Sequence, residues 1–343
     1  MEERTHDPAC LHSGGERSLE EQIAALMPSS RTTHKELCAK WRKKRREISY
    51  SDYDVLRFLR ATATGDTFNL KAAKRVMLNY QDWSVFIGLH EMNIRTVRAQ
   101  LESCTLFAPG CRTKQGLQVV FMRPSLYFPQ KTALNDLMRA TVYYLTRVTD
   151  LEQPCTQGIA FVSDMQGWTF SNFSMRYAKT WLDTLQGRFP ARVQLFLISD
   201  APPWFNTIWK LIRPMMSASF AKKVQILTKE ETYAFFRSKD DLPIAMGGKV
   251  NPRAVIDTFV RYRYEVEGLD YAAWYGKIGD MEHLAEEAFD LQRTASEGSE
   301  GMDDFDLRLG LDCADTQAAS LKSGLSPPST AAATPRRPRL SDG

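Results

Sequence analysis

The stretch that decides the fold is residues 189–224, FPARVQLFLISDAPPWFNTIWKLIRPMMSASFAKKV. From Val193 to Ile198 it is apolar apart from one glutamine, which predicts a strand buried on both faces of a parallel sheet. The pair Pro202-Pro203 ends that strand, because proline offers a sheet no backbone donor. The sequence therefore predicts a strand followed by a sharp turn.

The segment after the turn has one wide apolar face. Its residues recur at the helical spacings of three and four: Phe205, Ile208, Trp209, Ile212 and Met215. Lys210 and Arg213 lie outside this apolar face. Periodicity alone favours a core-facing helix of an α/β domain and does not by itself indicate a movable lid.

The same stretch resembles the CRAL-TRIO (Sec14-like) family. The matching motifs, in order, are Phe189-Pro190-Ala191-Arg192, Asp200-Ala201-Pro202, Arg213-Pro214-Met215 and Lys222-Lys223-Val224. Three further stretches fit the family in the right order, Tyr53–Ala61, Phe161–Gly167 and Leu242–Gly248. By segment lengths the chain is similar to the Sec14-type domains that are fused to a tyrosine phosphatase. It has no Cys-x5-Arg phosphatase loop, so that activity is not implied.

Strands and helices alternate from about residue 104, which predicts a mostly parallel sheet. The resemblance implies an α/β fold in which a helical N-terminal subdomain precedes a mostly parallel sheet flanked by helices, with a mobile gate helix over an apolar pocket. Polar, low-complexity ends predict disorder. The predicted organisation is a disordered leader at 1–33, the helical subdomain at 34–103, the lipid-binding domain at 104–250, a helical extension at 251–293 and a disordered tail at 294–343.

The resemblance also implies which side chains line the pocket. Alternate residues of a strand share one face, and the gate helix presents its apolar face. The lipid-pocket candidates are Ile159, Phe161, Ser163, Phe196, Ile198, Phe205, Ile208, Trp209, Ile212 and Met215. Ordinary core packing is the alternative for each of them.

The polar end of the ligand is where this chain departs from its relatives. Phosphoinositide-binding members of the family carry basic residues directly after the Leu-Arg-Ala motif, which is Leu59–Ala61 here. This chain has Thr62 and Ala63 at those positions. Those members also carry a glutamate where this chain has Ala191. The headgroup-binding candidates that remain are Lys223 and Arg192. Because fewer charge-assisted bonds are available, the sequence favours a less polar lipid, such as a sterol, prenol or fatty acid, over a phosphoinositide.

A dense cationic run lies near the N-terminus. Its members, which we predict to contact a membrane, are Lys40, Trp41, Arg42, Lys43, Lys44, Arg45 and Arg46. An anionic membrane surface attracts such a run by about 1 kcal/mol for each basic residue. A solvated helix face is an alternative, and so is nuclear import or nucleic acid binding, although no RNP, zinc-finger or helix-turn-helix pattern accompanies it. We therefore expect no nucleic acid partner.

Catalytic and cofactor motifs are missing. The five histidines and six cysteines are scattered, and the chain has no P-loop, Gly-x-Ser-x-Gly or Gly-x-Gly-x-x-Gly motif. No stretch reaches the ~18 apolar residues of a membrane span, and the N-terminus does not read as a signal peptide. The sequence predicts no enzyme, no metal and no cofactor other than a bound lipid, in a cytoplasmic, peripherally membrane-associated protein.

Two functions fit this pattern. In the first, the protein binds one hydrophobic lipid and transfers or presents it at membranes. In the second, the domain is a lipid-sensing interaction or regulatory module without net transfer, with protein partners bound through its disordered ends. The apolar residue set favours the first, and the two ends, with features such as Thr334-Pro335, favour the second.

Overall fold

Helices form the first part of the chain in the computed structural model, which describes residues 17–42, 50–65, 67–150 and 152–271. They are α1 Leu19–Ala24, α2 Pro28–Arg42, α3 Asp52–Ala61, α4 Leu70–Phe86 and α5 Ile94–Leu101. A capping box starts α3, in which the Ser51 hydroxyl accepts from the backbone N–H of Asp54 and the Asp54 carboxylate accepts in return. The helices α2, α3 and α4 share a core that includes Leu37, Phe58 and Met77.

Regular structure begins earlier than we predicted. Residues 17–33 belong to the predicted disordered leader, but α1 lies within them and α2 begins at Pro28. The side chain of Gln22 is buried and accepts a hydrogen bond from the Arg60 guanidinium at 2.9 Å. This contact fastens α1 to α3. Residues 1–16, and the predicted tail at 294–343, lie outside the described part of the chain.

A five-stranded sheet follows the helices. Its strands are β1 Leu106–Phe107, β2 Gln118–Met122, β3 Ile159–Asp164, β4 Val193–Ser199 and β5 Val224–Leu227. They lie in the order β1-β2-β3-β4-β5; β1 is antiparallel to β2 and the other pairs are parallel. The predicted α/β fold with a mostly parallel sheet is confirmed.

Helices flank the sheet. They are α6 Leu134–Val148, α7 Glu152–Thr156, α8 Met175–Asp183, α9 Phe205–Ile212, α10 Ala218–Ala221, α11 Lys229–Tyr233 and α12 Pro252–Val266. A π turn, Thr184–Arg188, continues α8, and a 3-10 turn, Arg213–Met215, continues α9. Such π turns are rare and often occur at functional sites. Residues 272–293 of the predicted helical extension lie outside the described residues.

The amino end of the sheet brings two chain segments very close together, and the carboxyl end presents the face that positions the candidate site. At the amino end, Gly158 precedes β3 with a φ of +104°, and a Cβ there would lie 2.6 Å from the carbonyl oxygen of Arg192. Only glycine fits this close approach. At the carboxyl end, Phe161 pairs with Phe196 and Ser163 with Ile198. These four side chains share one face of the sheet, and that face positions the candidate site.

Candidate functional site

An apolar cavity of about 130 Å³ lies at the carboxyl end of the sheet, between the strands, α8 and α9. Its walls come from three strands, two helices and the loop after β3. The lining residues are Met122, Pro124, Ser163, Met165, Trp168, Asn172, Phe173, Ser174, Tyr177, Ala178, Trp181, Leu182, Leu185, Phe196, Ile198, Phe205, Trp209, Ile212 and Met216.

One wall of the cavity is the inner face of α8. Tyr177, Trp181 and Leu185 follow one another at a spacing of four, so they form a single ridge along α8 and the π turn after it. The Trp181 ring packs edge-on against Phe161 with 5.8 Å between ring centroids. Phe161 therefore supports this wall from behind.

The opposite wall is α9, which we call the gate helix. It is amphipathic because Phe205 and Ile208 are buried, while Lys210 is exposed and Leu211 is 41% exposed. Phe205 and Ile208 join Met165, Trp168 and Ile198 in a small core of their own. The gate helix is thus held on its inner face and open to solvent on its outer face.

Aromatic stacking fixes the start of the gate helix. After β4 the chain turns at Asp200, which has a left-handed φ of +56°. Aspartate tolerates this conformation better than most residues do. Trp204, just before the helix, stacks on Trp168 with 4.6 Å between ring centroids, and Trp168 also contacts Phe205 edge-on at 5.9 Å.

A single side-chain amide fixes the other end of the gate helix. Gln186, in the π turn after α8, donates to the carbonyl oxygen of Met215 at 3.3 Å. Its amide oxygen accepts from the backbone N–H of Ser217 at 2.7 Å. Because one residue makes both bonds, they form or break together.

Six of the ten predicted pocket residues line the cavity. They are Ser163, Phe196, Ile198, Phe205, Trp209 and Ile212. Ile159 and Phe161 are buried in the main core, and Ile208 is buried in the small core under the gate helix, so these three lie outside the lining. Met215 is 40% exposed, because the helix tightens to a 3-10 turn and Met216 takes the inward position.

Sequence reasoning missed the α8 wall. The spacing of four between Tyr177 and Trp181 was visible as a signal, but the family motifs on which we relied lie on the strands and the gate helix. Trp168 was missed for a different reason. It lies in a loop, where no periodicity marks a residue as facing inward.

The predicted headgroup residues lie at the other end of the sheet, outside the cavity lining. Arg192, at the start of β4, donates to the carbonyl oxygen of Thr156 at 2.7 Å. Lys223, just before β5, donates to the carbonyl oxygen of Val193 at 2.6 Å. Burial lowers the pKa of Lys223, and the positive charge of Arg192 lowers it further. Both cations therefore bind backbone of their own chain in this structure.

The serine hydroxyls and the asparagine amide that line the cavity have hydrogen bonds within the protein, whereas the buried indole N–H of Trp168 has no partner among the described residues. Ser163 donates to the Met165 sulfur at 3.4 Å, and the Ser174 hydroxyl accepts from the backbone N–H of Tyr177. The Asn172 amide donates to two backbone carbonyls at 3.0 Å and its oxygen accepts from a backbone N–H. The cavity therefore offers a ligand mainly apolar contact.

The residues of the basic run that the structure describes, Lys40, Trp41 and Arg42, are buried or paired with other residues of the protein. Trp41 is buried and its ring lies 5.0 Å from that of Tyr50, so the predicted contact of this indole with a membrane is wrong for the structure as folded. Lys40 pairs with Glu36, and Arg42 pairs with Asp52. The remaining predicted membrane contacts, Lys43, Lys44, Arg45 and Arg46, lie outside the described residues.

A mostly parallel sheet with an apolar cavity under an amphipathic helix is the arrangement that the sequence motifs predicted. Residues 102–248 match the model of the CRAL/TRIO domain. The chain thus contains a CRAL/TRIO domain over this stretch. The sheet, α8 and the gate helix all lie within these residues. The predicted family resemblance is confirmed.

Named relatives match the same kind of domain. The chain is 29% identical to "Tyrosine-protein phosphatase non-receptor type 9" of Mus musculus over 154 residues, which are 45% of this chain and 26% of the phosphatase. It is 27% identical to "Alpha-tocopherol transfer protein-like" of Homo sapiens over 183 residues, 51% of this chain and 52% of that protein. It is 24% identical to "Phosphatidylinositol transfer protein CSR1" of Eremothecium gossypii over 142 residues, 40% of this chain and 31% of that protein.

The chain thus spans about a quarter of the phosphatase and about half of the tocopherol transfer relative. The predicted likeness to a domain fused to a tyrosine phosphatase is confirmed. A solved structure titled "Crystal structure of Sfh5" aligns over 72% of this chain and 97% of its own, with a TM-score of 0.43 and 12% identity, a likeness too low to carry an argument.

The part of the chain that the structure describes shows neither a cluster of metal ligands nor a membrane-spanning helix. There, no three His, Cys, Asp or Glu side chains are grouped as metal ligands would be. No described helix combines the length and the apolar character that crossing a membrane requires. Cys38, Cys104, Cys111 and Cys155 are free thiols.

Proposed function

We propose that this CRAL/TRIO domain binds one lipid in the apolar cavity and exchanges it at a membrane by moving the gate helix. One observation carries the proposal: the cavity is apolar and one of its walls is a helix with a solvent-exposed outer face. A lipid tail loses about 0.8 kcal/mol for each CH2 that enters water, so a carrier must enclose it.

The size of the cavity supports a closed state. At about 130 Å³ it is close to an engineered protein cavity of roughly 150 Å³ that binds benzene. A long lipid needs more room, and the gate helix, whose outer face is exposed to solvent, is the wall that we propose to move. Moving it exposes Phe205 and Ile208, at a cost of about 1.5–3 kcal/mol for each side chain. Contact with a membrane can offset that cost.

The cavity chemistry supports a weakly polar cargo, such as a sterol or a prenol. No lysine, arginine or histidine is among its lining residues, and the Ser163 and Ser174 hydroxyls and the Asn172 amide are already hydrogen-bonded. A charged headgroup placed there would lose its hydration without gaining a partner of opposite charge, which is costly. Arg192 and Lys223 do not reach this cavity, so we do not propose them as its headgroup ligands.

The outer face of the gate region supports peripheral contact with a membrane. Leu211 and Met215 are large apolar side chains exposed to solvent, and Lys210, Arg213 and Lys222 are exposed nearby in the chain. Apolar groups that enter the interface and cations that attract anionic lipid act together in peripheral binding. We propose a cytoplasmic protein that docks through this face and has no catalytic activity of its own.

The deciding experiment is native mass spectrometry with lipid extraction on the full chain purified from cells, followed by exchange with labelled vesicles. A stoichiometric, exchangeable lipid of low polarity is the expected result. Exclusive recovery of phosphatidylinositol would overturn the proposed cargo. A lipid that is bound but not exchanged would support the lipid-sensing module instead, and an empty protein that takes up no lipid would overturn both.

The basic run needs its own test because only part of it is described. Vesicle binding of the full chain is compared with a variant in which Lys43, Lys44, Arg45 and Arg46 are replaced by glutamine. At about 1 kcal/mol for each basic residue, we expect a large loss of binding to anionic vesicles and none to neutral ones. Unchanged binding would remove the run from the proposal.

A further inference from the structure

A second, polar pocket lies beside the apolar cavity. It has a volume of about 390 Å³, within the range of about 300–1,000 Å³ that is usual for small-molecule sites. Residues between 127 and 135 form one side of it, and Ser174 and Arg176 at the start of α8 form the other. Ser174 lines both the polar pocket and the apolar cavity, so the two are neighbours.

The first turn of α6 faces this pocket through Leu134 and Asn135. The helix has 15 residues, and its N-cap residue, Ala133, supplies no side-chain hydrogen bond. The first backbone N–H groups of a helix have no acceptor within the helix, and the helix dipole adds partial positive charge at that end. Together these features favour an anion.

Tyr127 gives an independent indication of a ligand. Its side chain is only 3% exposed, and its ring stacks on Tyr177 with 4.6 Å between centroids. Within the described part of the chain, the Tyr127 hydroxyl has no hydrogen-bond partner, although the residue lines the polar pocket. A hydroxyl that lines a pocket and has no partner within the protein is a ready donor for a ligand oxygen.

Arg176 supplies a full positive charge at the same pocket. Its guanidinium forms no ion pair or side-chain hydrogen bond among residues 17–42, 50–65, 67–150 and 152–271. Burial raises the pKa of Tyr127, and the positive charge of Arg176, which lines the same pocket, acts against this rise. Asp136, in the first turn of α6, is the acidic group that opposes an anion, but it is exposed and does not line the pocket.

We propose that the polar pocket binds a phosphate-bearing anion. The Arg176 guanidinium, the first N–H groups of α6 and the Tyr127 hydroxyl are all donors, and phosphate oxygens accept several such bonds at once. The phosphate can belong to a soluble compound or to a lipid headgroup at the membrane surface. This site is separate from the apolar cavity, so it stands whether or not the cavity carries a lipid.

The test uses three variants of the full chain. Arg176→Gln removes the charge, Tyr127→Phe removes only the hydroxyl, and Lys179→Gln is the matched control. Lys179 is an exposed cation on α8, one turn from Arg176, that does not line the pocket. Calorimetric titration with inorganic phosphate measures the soluble source. Sedimentation with phosphatidylcholine vesicles, with and without phosphatidic acid, measures the headgroup source.

We expect Arg176→Gln to weaken binding at least about tenfold, because it removes a charge-assisted bond. Tyr127→Phe should weaken it a few-fold, and Lys179→Gln should leave it unchanged. If Arg176 matters only for inorganic phosphate, the ligand is soluble. If it matters for recruitment to phosphatidic acid, the ligand is a headgroup. The proposal is overturned if neither probe binds in an Arg176-dependent way, or if Lys179→Gln weakens binding as much.

Discussion

The two ends of the sheet show how the same chain builds one sealed region and one that can open. At the amino end, the cations Arg192 and Lys223 donate to backbone carbonyls, and Gly158 lets two segments approach closely. At the carboxyl end, an apolar cavity lies under the gate helix, which Gln186 fastens at its far end. Directed hydrogen bonds therefore hold the closed end, and apolar contact, which does not depend on direction, covers the end that we propose to open.

The largest expected effect comes from a charge placed in the cavity. Ile212→Glu puts a carboxylate among apolar side chains that cannot pair with it, and an unpaired buried charge costs several kcal/mol. We expect the variant to be recovered without bound lipid in native mass spectrometry. Thr207→Glu is the matched control, because this side chain of the same helix is exposed, does not line the cavity and should leave the lipid in place. Equal loss in both variants would mean that the cavity is not the binding site.

The second prediction concerns the sealed end. Arg192→Gln removes the bond to the Thr156 carbonyl, so we expect the free energy of unfolding to fall by about 1–3 kcal/mol while lipid loading stays unchanged. Chemical denaturation and native mass spectrometry measure the two quantities. Arg237→Gln, at an exposed arginine, is the control and should change neither. Loss of lipid at normal stability would instead restore Arg192 as a headgroup ligand.

A smaller effect is expected at the fastening of the gate helix. Gln186→Ala removes the two hydrogen bonds to Met215 and Ser217, so the open state becomes easier to reach. We expect lipid exchange with vesicles to be about fivefold faster, which corresponds to roughly 1 kcal/mol. The control is Gln225→Ala on the exposed strand β5. Exchange that is unchanged or slower would show that the gate helix does not limit the rate.

The smallest effect is a dependence on pH at the sealed end. The pKa of Lys223 is lowered in the folded state, so the unfolded chain binds the lysine proton more tightly than the folded chain does. The free energy of unfolding should therefore rise with pH between the pKa of folded Lys223 and the pKa of about 10.4 of an unfolded lysine. Denaturation of the wild type and of Lys223→Met is compared between about pH 8 and pH 10. The wild type should gain stability relative to the variant as pH rises.

Lys222→Met serves as the control for that comparison, because Lys222 is the exposed neighbour of Lys223. Its difference from the wild type should not change with pH. A wild type that loses stability relative to Lys223→Met over this interval would contradict the structure, because that sign requires a raised pKa in the folded state.

Much of the fold could be predicted because its elements have strong local signals. The strand at Val224–Leu227 and the helix at Leu134–Val148 follow from apolar runs and helical spacing. The two-residue strand β1 is too short to leave a pattern. The site was predicted less completely, since a motif marks the elements around a cavity but not which side chains reach it.

The sequence by itself determined the family, the alternation of strands and helices from β2 onward, and the inward face of the gate helix, because periodicity depends only on backbone geometry. Only the tertiary structure decided that Met216 and not Met215 faces the cavity, and that Trp41 is buried. The same holds for the polar pocket, which brings Tyr127, from the segment before α6, to Arg176 at the start of α8. An inward-facing side chain lines a cavity or packs against another residue depending on elements that are distant in the chain. Only the packing of those elements in the folded protein decides between the two.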